Sequence, residues 1–214
     1  DGFLKAAEMT YVVDTGAYTD IGPLLAKAVA VDCTGPYNIE NVWCDSLCVY
    51  TNHPYSTSFR GFGHACYTFC IERALDKLAC ALGMDSFDLR IKNAIAPGNT
   101  TPTQVKATPS NTGNLSACLE QLKSSINWRE GARVDLGNGI IRAKGISSFW
   151  KTSDSPTDAV SGVLLTFNSD GSINLNSGVV EYGPGMKTTL AQILAERMKM
   201  DINRVHVKFE VDTQ

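Results

Sequence analysis

The sequence predicts an α+β chain of two mixed α/β parts, the second built on a β-β-α-β unit. Three observations carry this. Extended segments and helical apolar stripes alternate through the first half, an abrupt change of composition follows from Pro97 to Asn114, and the hydrophobic period switches to two beyond Gly137-Asn138-Gly139. The boundary is placed near Trp128 to Gly139, giving parts 1–134 and 135–214.

Taken in order, residues 8–14 hold Tyr11 and two valines and read as a strand. Pro23 to Val31 reads as a helix with proline at its start, and Asn41 to Val49 returns to an extended pattern. A longer helix begins near His64, with Ile71, Leu75, Leu78, Ala79 and Leu82 on one face, and Gly83 is placed to end it. Asp85-Ser86-Phe87-Asp88 has the chemistry of a capped helix start. Thr, Pro, Asn, Gly and Ser then dominate a long surface loop, after which Leu115, Cys118, Leu119, Leu122 and Ile126 form a helical stripe. Val163, Leu165 and Phe167 alternate up to the turn Asn168-Ser169-Asp170-Gly171, and Ile173 and Leu175 alternate after it, which is a hairpin pattern. A helix over about 186–200 and a strand with Val205, Val207, Phe209 and Val211 on one face complete the unit.

With 19 basic and 22 acidic residues the formal charge is −3, and the basic residues are scattered, so nucleic acid is not an expected partner. No apolar run reaches the length of a membrane span. Seven cysteines, an odd number without the spacings of a disulfide scaffold, predict reduced thiols in a cytoplasm.

The segment that points to chemistry is Thr51-Asn52-His53-Pro54 followed by Ser58-Phe59-Arg60-Gly61-Phe62-Gly63. It sets a guanidinium and an aromatic ring on a glycine-hinged loop just before a helix whose first N–H groups have no partner within the helix. Taken alone, the same residues also read as a glycine-rich turn with Arg60 in a structural ion pair and Phe62 in the core. Further motifs stand in a fixed order around it: Asp14 to Asp20, Gly35-Pro36-Tyr37-Asn38-Ile39, Tyr50-Thr51-Asn52, Glu72 with Asp76, and Leu89-Arg90-Ile91-Lys92-Asn93. Asp170-Gly171-Ser172 and Gly178 to Gly185 follow.

In these motifs the chain resembles the molybdopterin-binding subunit of the xanthine dehydrogenase and aldehyde oxidase family of molybdenum hydroxylases. The resemblance implies a piece of the molybdenum-cofactor-binding domain, with the C-terminal portion of a first part over 1–134 and the N-terminal portion of a second over 135–214. It implies that Arg60, Gly61 and Gly63 position the cofactor, that Phe62 packs against a flat substrate, and that Gly183, Pro184 and Gly185 approach the pterin or its phosphates. The cofactor would be molybdopterin or its cytosine dinucleotide, with iron–sulfur and FAD groups on partner domains or subunits. The implied activity is hydroxylation of an electron-poor carbon of a heterocycle or aldehyde, with water as oxygen source.

The family's catalytic glutamate lies near the C-terminus of the subunit, and other active-site residues precede the region matched, so no catalytic residue is expected in this chain. It is read as an internal piece that needs the remainder of its subunit, inactive and without cofactor when isolated. Three departures stand out. Pro184 replaces the family's glutamine and supplies neither an amide side chain nor an N–H; His64-Ala65-Cys66 replaces Gly-Pro-Gln; and Ala28, beside Lys27, stands where purine-specific members carry arginine.

Two other classes of function compete: a folded module without cofactor that serves subunit contacts, and a zinc-binding interaction domain built on His64, Cys66 and Cys70. Buried free thiols are the ordinary alternative for the latter. His53 reads as a local hydrogen-bonding residue, with a catalytic role as the alternative, and His206 reads as a solvated strand residue. Gly61-Phe62-Gly63 lacks the third glycine of a dinucleotide fingerprint, and Gly185-Met186-Lys187-Thr188 lacks nucleotide-loop spacing.

Overall fold

Strand β1 (Ala6–Asp14) pairs in parallel with β2 (Asn41–Val49), from Ala6 opposite Asn41 to Asp14 opposite Val49. Parallel pairing needs a crossover, and helix α1 (Gly22–Val31), with Pro23 in its first turn, supplies it. In the computed structural model the structure describes residues 1–151, 161–181 and 183–209. Contacts divide the chain into two units, Asp1–Ser153 and Asp154–Gln214; the sequence-based boundary at 134/135 lies within strand β3 (Arg133–Asp135).

In the first unit, helix α2 (His64–Leu82) lays Tyr67, Ile71, Leu75 and Ala79 onto Val29, Tyr37 and Leu89. The spacing of four between 67, 71, 75 and 79 keeps that stripe on one face. Leu82, expected on the same face, is exposed because the stripe ends at Ala79, and Gly83 closes the helix in the left-handed region at φ 62°. Asp85 caps helix α3 (Ser86–Asn93) by accepting from the N–H groups of Phe87 and Asp88, and its other oxygen accepts from Trp128 Nε1 at 2.7 Å. Helix α4 (Leu115–Ser125) buries Leu119 against Phe87 and Trp128, whereas Cys118 and Leu122 are exposed.

The composition break between α3 and α4 is an organised loop. Thr100 and Lys106 form a bridge, Gly98 N–H donates to the Ala107 carbonyl, and Ala107 itself is buried. A short hairpin of β3 and β4 (Ile141–Ala143) turns at Gly137-Asn138-Gly139.

The second unit contains the expected β-β-α-β arrangement. Strands β5 (Val163–Phe167) and β6 (Ile173–Ser177) form an antiparallel hairpin, helix α5 (Met186–Met198) crosses over, and β7 (Val205–Lys208) pairs in parallel with β6. Ile173, Leu175, Ala191, Leu194, Ala195 and Val205 form its core. His206 is exposed, as its alternation predicts; Val211 lies outside the described residues.

Candidate functional site

The carboxyl ends of β1 and β2 open into the loops 15–21 and 50–63, so the Arg60–Gly63 segment lies where open parallel sheets place ligands. These two loops are tied together from Asp14. Its Oδ1 accepts from Gly16 N–H and Thr51 Oγ1, each at 2.7 Å, and its Oδ2 meets His53 Nδ1 at 2.5 Å. The bonds from Thr51 and Gly16 hold the Asp14 carboxyl down at about 2. Gly16 is required: a Cβ there would lie 2.2 Å from the Pro54 carbonyl oxygen. Ser56 N–H donates to Thr15 O at 3.1 Å, carrying the chain on toward Ser58. The local bond at His53 is made by its backbone N–H, which donates to Thr51 Oγ1 at 3.2 Å, while its ring reaches Asp14 across 39 residues.

Three successive residues then take positive φ: Gly61 at 111°, Phe62 at 47° and Gly63 at 81°. Gly63 is the residue before α2, with no side chain capping that helix end. Arg60 is exposed, Phe62 is half-buried, and the adjoining Phe59 is 90% exposed. A Cβ on Gly61 would meet only Ala65, at 3.7 Å or more, so the outer edge of the loop is open.

Sequence reasoning missed two supports of this loop. Asp32, at the end of α1, lies 2.7 Å from the Nε2 of His64, and both side chains are buried. Glu72 and Arg90, singled out as motif residues only, form the interior anchor of α2 and α3. Arg90 Nε donates to Glu72 Oε2 at 2.9 Å, and Tyr37 hydroxyl donates to Glu72 Oε1 at 2.6 Å. Burial opposes the Arg90 charge, but Glu72, Tyr37 and Asp76 together outweigh it and hold the guanidinium above its ordinary value. Asn93 binds the N-terminal segment by donating to Gly2 O and accepting from Leu4 N–H.

The zinc set is not assembled. His64 turns inward, with both ring nitrogens engaged by Asp32 and loop carbonyls, while Cys66 and Cys70 are exposed. Among the described residues no group of three or more His, Cys, Asp or Glu side chains is gathered for a metal. All seven cysteines are free, and no described helix is long and apolar enough to cross a membrane.

In the second unit, Gly183 and Gly185 also take positive φ, at 119° and 80°, and Gly185 precedes α5. Their N–H groups are already engaged: both donate to Glu181 Oε1, at 2.9 and 3.1 Å, and Lys187 N–H donates to Oε2 at 3.4 Å. Those bonds lower the Glu181 carboxyl below its usual range. The turn is an anion nest, and an internal carboxylate fills it.

Two family models, each described as a molybdopterin cofactor-binding domain, match residues 1–94 and 121–214. The chain belongs to the molybdopterin cofactor-binding domains of the xanthine dehydrogenase and aldehyde oxidase family. It is 32% identical over 218 residues to a putative xanthine dehydrogenase molybdenum-binding subunit of Escherichia coli K12, a match covering all of this chain and 29% of that relative. It is 47% identical over 94 residues to the nicotinate dehydrogenase large molybdopterin subunit of Eubacterium barkeri, covering 44% of this chain and 22% of that one. The fold is that of quinoline 2-oxidoreductase from Pseudomonas putida 86, with a TM-score of 0.76 over 97% of this chain and 28% of that one at 21% identity. The chain thus spans less than a third of the length of these relatives.

The donor chemistry of the first loop fits the family's cofactor. An oxygen-rich, anionic group would find an open glycine edge, a guanidinium and the positive end of a helix dipole at residues 60–64, with the His64 and Cys66 N–H groups already donating to Gly61 O and Gly63 O. The second loop fits less simply, because Pro184 offers no N–H and Glu181 holds those of its neighbours.

Proposed function

We propose that this chain is the central piece of a molybdenum hydroxylase subunit and contributes one wall of its cofactor and substrate site. The observation that carries the reading is the Arg60–Gly63 loop, open at its outer edge and set on the first turn of α2 at the carboxyl ends of two parallel strands. Residues 1–134 and 135–214 are taken as portions of the first and second molybdopterin-binding parts.

Arg60 would bind the anionic periphery of the cofactor by charge-assisted hydrogen bonds, and the backbone at Gly61 and Gly63 would let it approach the main chain. Phe62 would present its ring to a flat substrate and exclude water from one face. Gly183, Pro184 and Gly185 would approach the pterin, with Glu181 yielding or sharing its N–H donors. When bound, the cofactor supplies the redox chemistry by which water hydroxylates an electron-poor carbon of a heterocycle or aldehyde. The glutamate base belongs to another part of the subunit, and electrons leave through iron–sulfur and flavin groups on partners. Free thiols support a cytoplasmic setting. By this reading the isolated 214 residues are inactive.

The test is Arg60→Ala in the complete subunit assembled with its partners. Turnover of heterocycles and aldehydes is expected to fall at least a hundredfold, about the size of losing one preorganised charge contact. Near-normal turnover would remove Arg60 from the site. Hydroxylation by the isolated chain would overturn the division of labour between pieces.

A further inference from the structure

Helix α2 opens with a histidine where the resembled family carries glycine, and the fold buries it. His64 is 4% exposed. Its Nδ1 lies 2.8 Å from the carbonyl oxygen of Gly61 and 3.0 Å from that of Phe62. Both neighbours are acceptors only, so Nδ1 carries a proton and donates to the pair. On the other side of the ring, Nε2 lies 2.7 Å from Asp32 Oδ2, and Asp32 is 3% exposed. A nitrogen and a carboxylate oxygen at that distance share a proton between them. Tyr67 stacks edge-on with the ring centroids 5.6 Å apart. The imidazole is therefore held at both nitrogens and against one edge.

What the ring grips is Phe62, in the left-handed region at φ 47°. A bulky L-residue rarely stays there unless its surroundings fix it. The Gly61 carbonyl turns with φ of Phe62, and the Phe62 carbonyl turns with its ψ. A single donor on both carbonyls therefore fixes both dihedrals. The Phe62 N–H is also held, donating to Phe59 O at 3.0 Å. Gly63 then packs on α1 so closely that a Cβ would lie 3.1 Å from both Leu25 O and Val29 Cγ2.

We propose that His64 is a positioning residue: the buried Asp32–His64 pair locks Phe62 in its left-handed conformation and so transmits the placement of α1 to the Arg60–Gly63 loop. The strain at Phe62 and the clamp on it form one device. Its consequence for cofactor binding rests on the function proposed above; its conformational content does not.

The experiment uses the complete subunit with its partners and two readouts, hydrogen exchange of the 59–63 peptide and pterin content. His64→Ala should raise exchange in that peptide roughly tenfold, because an unsupported left-handed phenylalanine reverts to the ordinary basins. In a Phe62→Asn background, where the side chain tolerates that region, the same His64→Ala change should raise exchange less than about threefold. Equal effects in the two backgrounds, or no effect in either, would overturn the clamp. Loss of pterin alongside the exchange change supports both clamp and cofactor loop; the exchange change with full pterin content supports the clamp and removes the loop from cofactor binding. Should His64→Ala not accumulate as folded protein, His64→Leu combined with Asp32→Asn, which fills the site while removing both the donor and the buried carboxylate, takes its place with the same outcomes.

Discussion

Arg90 is the largest fully buried side chain of the described residues, and replacing it tests how the frame beneath the candidate site is held. Its Nε donates to Glu72 Oε2 at 2.9 Å, its Nη1 to Ser86 O at 3.1 Å, and its Nη2 to Glu72 O and Asp76 Oδ1 at 3.1 and 2.9 Å. Arg90→Met keeps most of the volume but leaves Glu72, 4% exposed, with the Tyr37 hydroxyl alone among the described residues to offset its charge. Breaking a buried pair by removing one partner costs about 3–5 kcal/mol. At about 1.4 kcal/mol per tenfold, amide exchange in α2 and α3 of the complete subunit should accelerate by about two to three and a half powers of ten. Asp76 is a third exposed, so Asp76→Asn should cost less than about 1 kcal/mol. Combining Arg90→Met with Glu72→Leu should recover part of the loss, since no unpaired charge then remains. Arg90→Met within about 1 kcal/mol of the parent would refute the argument from burial.

Two further outcomes follow from the titrating groups. Asp14 is depressed from 3.8 to about 2, so the stability it lends the 14–20 and 51–53 loops is full above its unfolded value and disappears as pH falls through the folded one. Proteolytic nicking near Pro54 should therefore rise between about pH 4 and pH 2 in an acid-active protease assay, and Asp14→Asn should abolish that pH dependence. The Cys33 thiol is pushed up to about 12 by burial, with Cys44 adding to it. Under iodoacetamide at pH 8 it should remain unmodified until the subunit is denatured; peptide mass spectrometry showing it alkylated in the folded subunit would contradict its burial.

Local signals were readable because local chemistry makes them. Pro23, Asp85 and Gly83 mark helix ends through their own backbone preferences, and the two-residue alternation around Asn168 to Gly171 shows the hairpin directly. The parallel pairing of β1 with β2 was not visible, since both strands carry apolar residues on two faces and their register depends on contacts 35 residues apart. The β3–β4 hairpin escaped notice because three-residue strands are too short to show a period. At the site, the glycine pattern located the loop, but its supports lie far away in sequence. His64 finds Asp32 across 32 residues, and Arg90 finds Glu72 across 18. In the second loop the glycines were legible as a nest, and the nearby Glu181 as its occupant was not, because sequence alone does not say which anion arrives first.

The measurement that bears most directly on the central claim is molybdenum and acid-released pterin content in the complete subunit purified with its partners, compared with its Arg60→Ala variant. The parent is expected to carry stoichiometric molybdenum and pterin, and the variant to lose most of both. Neither molybdenum nor pterin in the parent would contradict that claim and return this chain to the class of folded modules that serve subunit contacts alone.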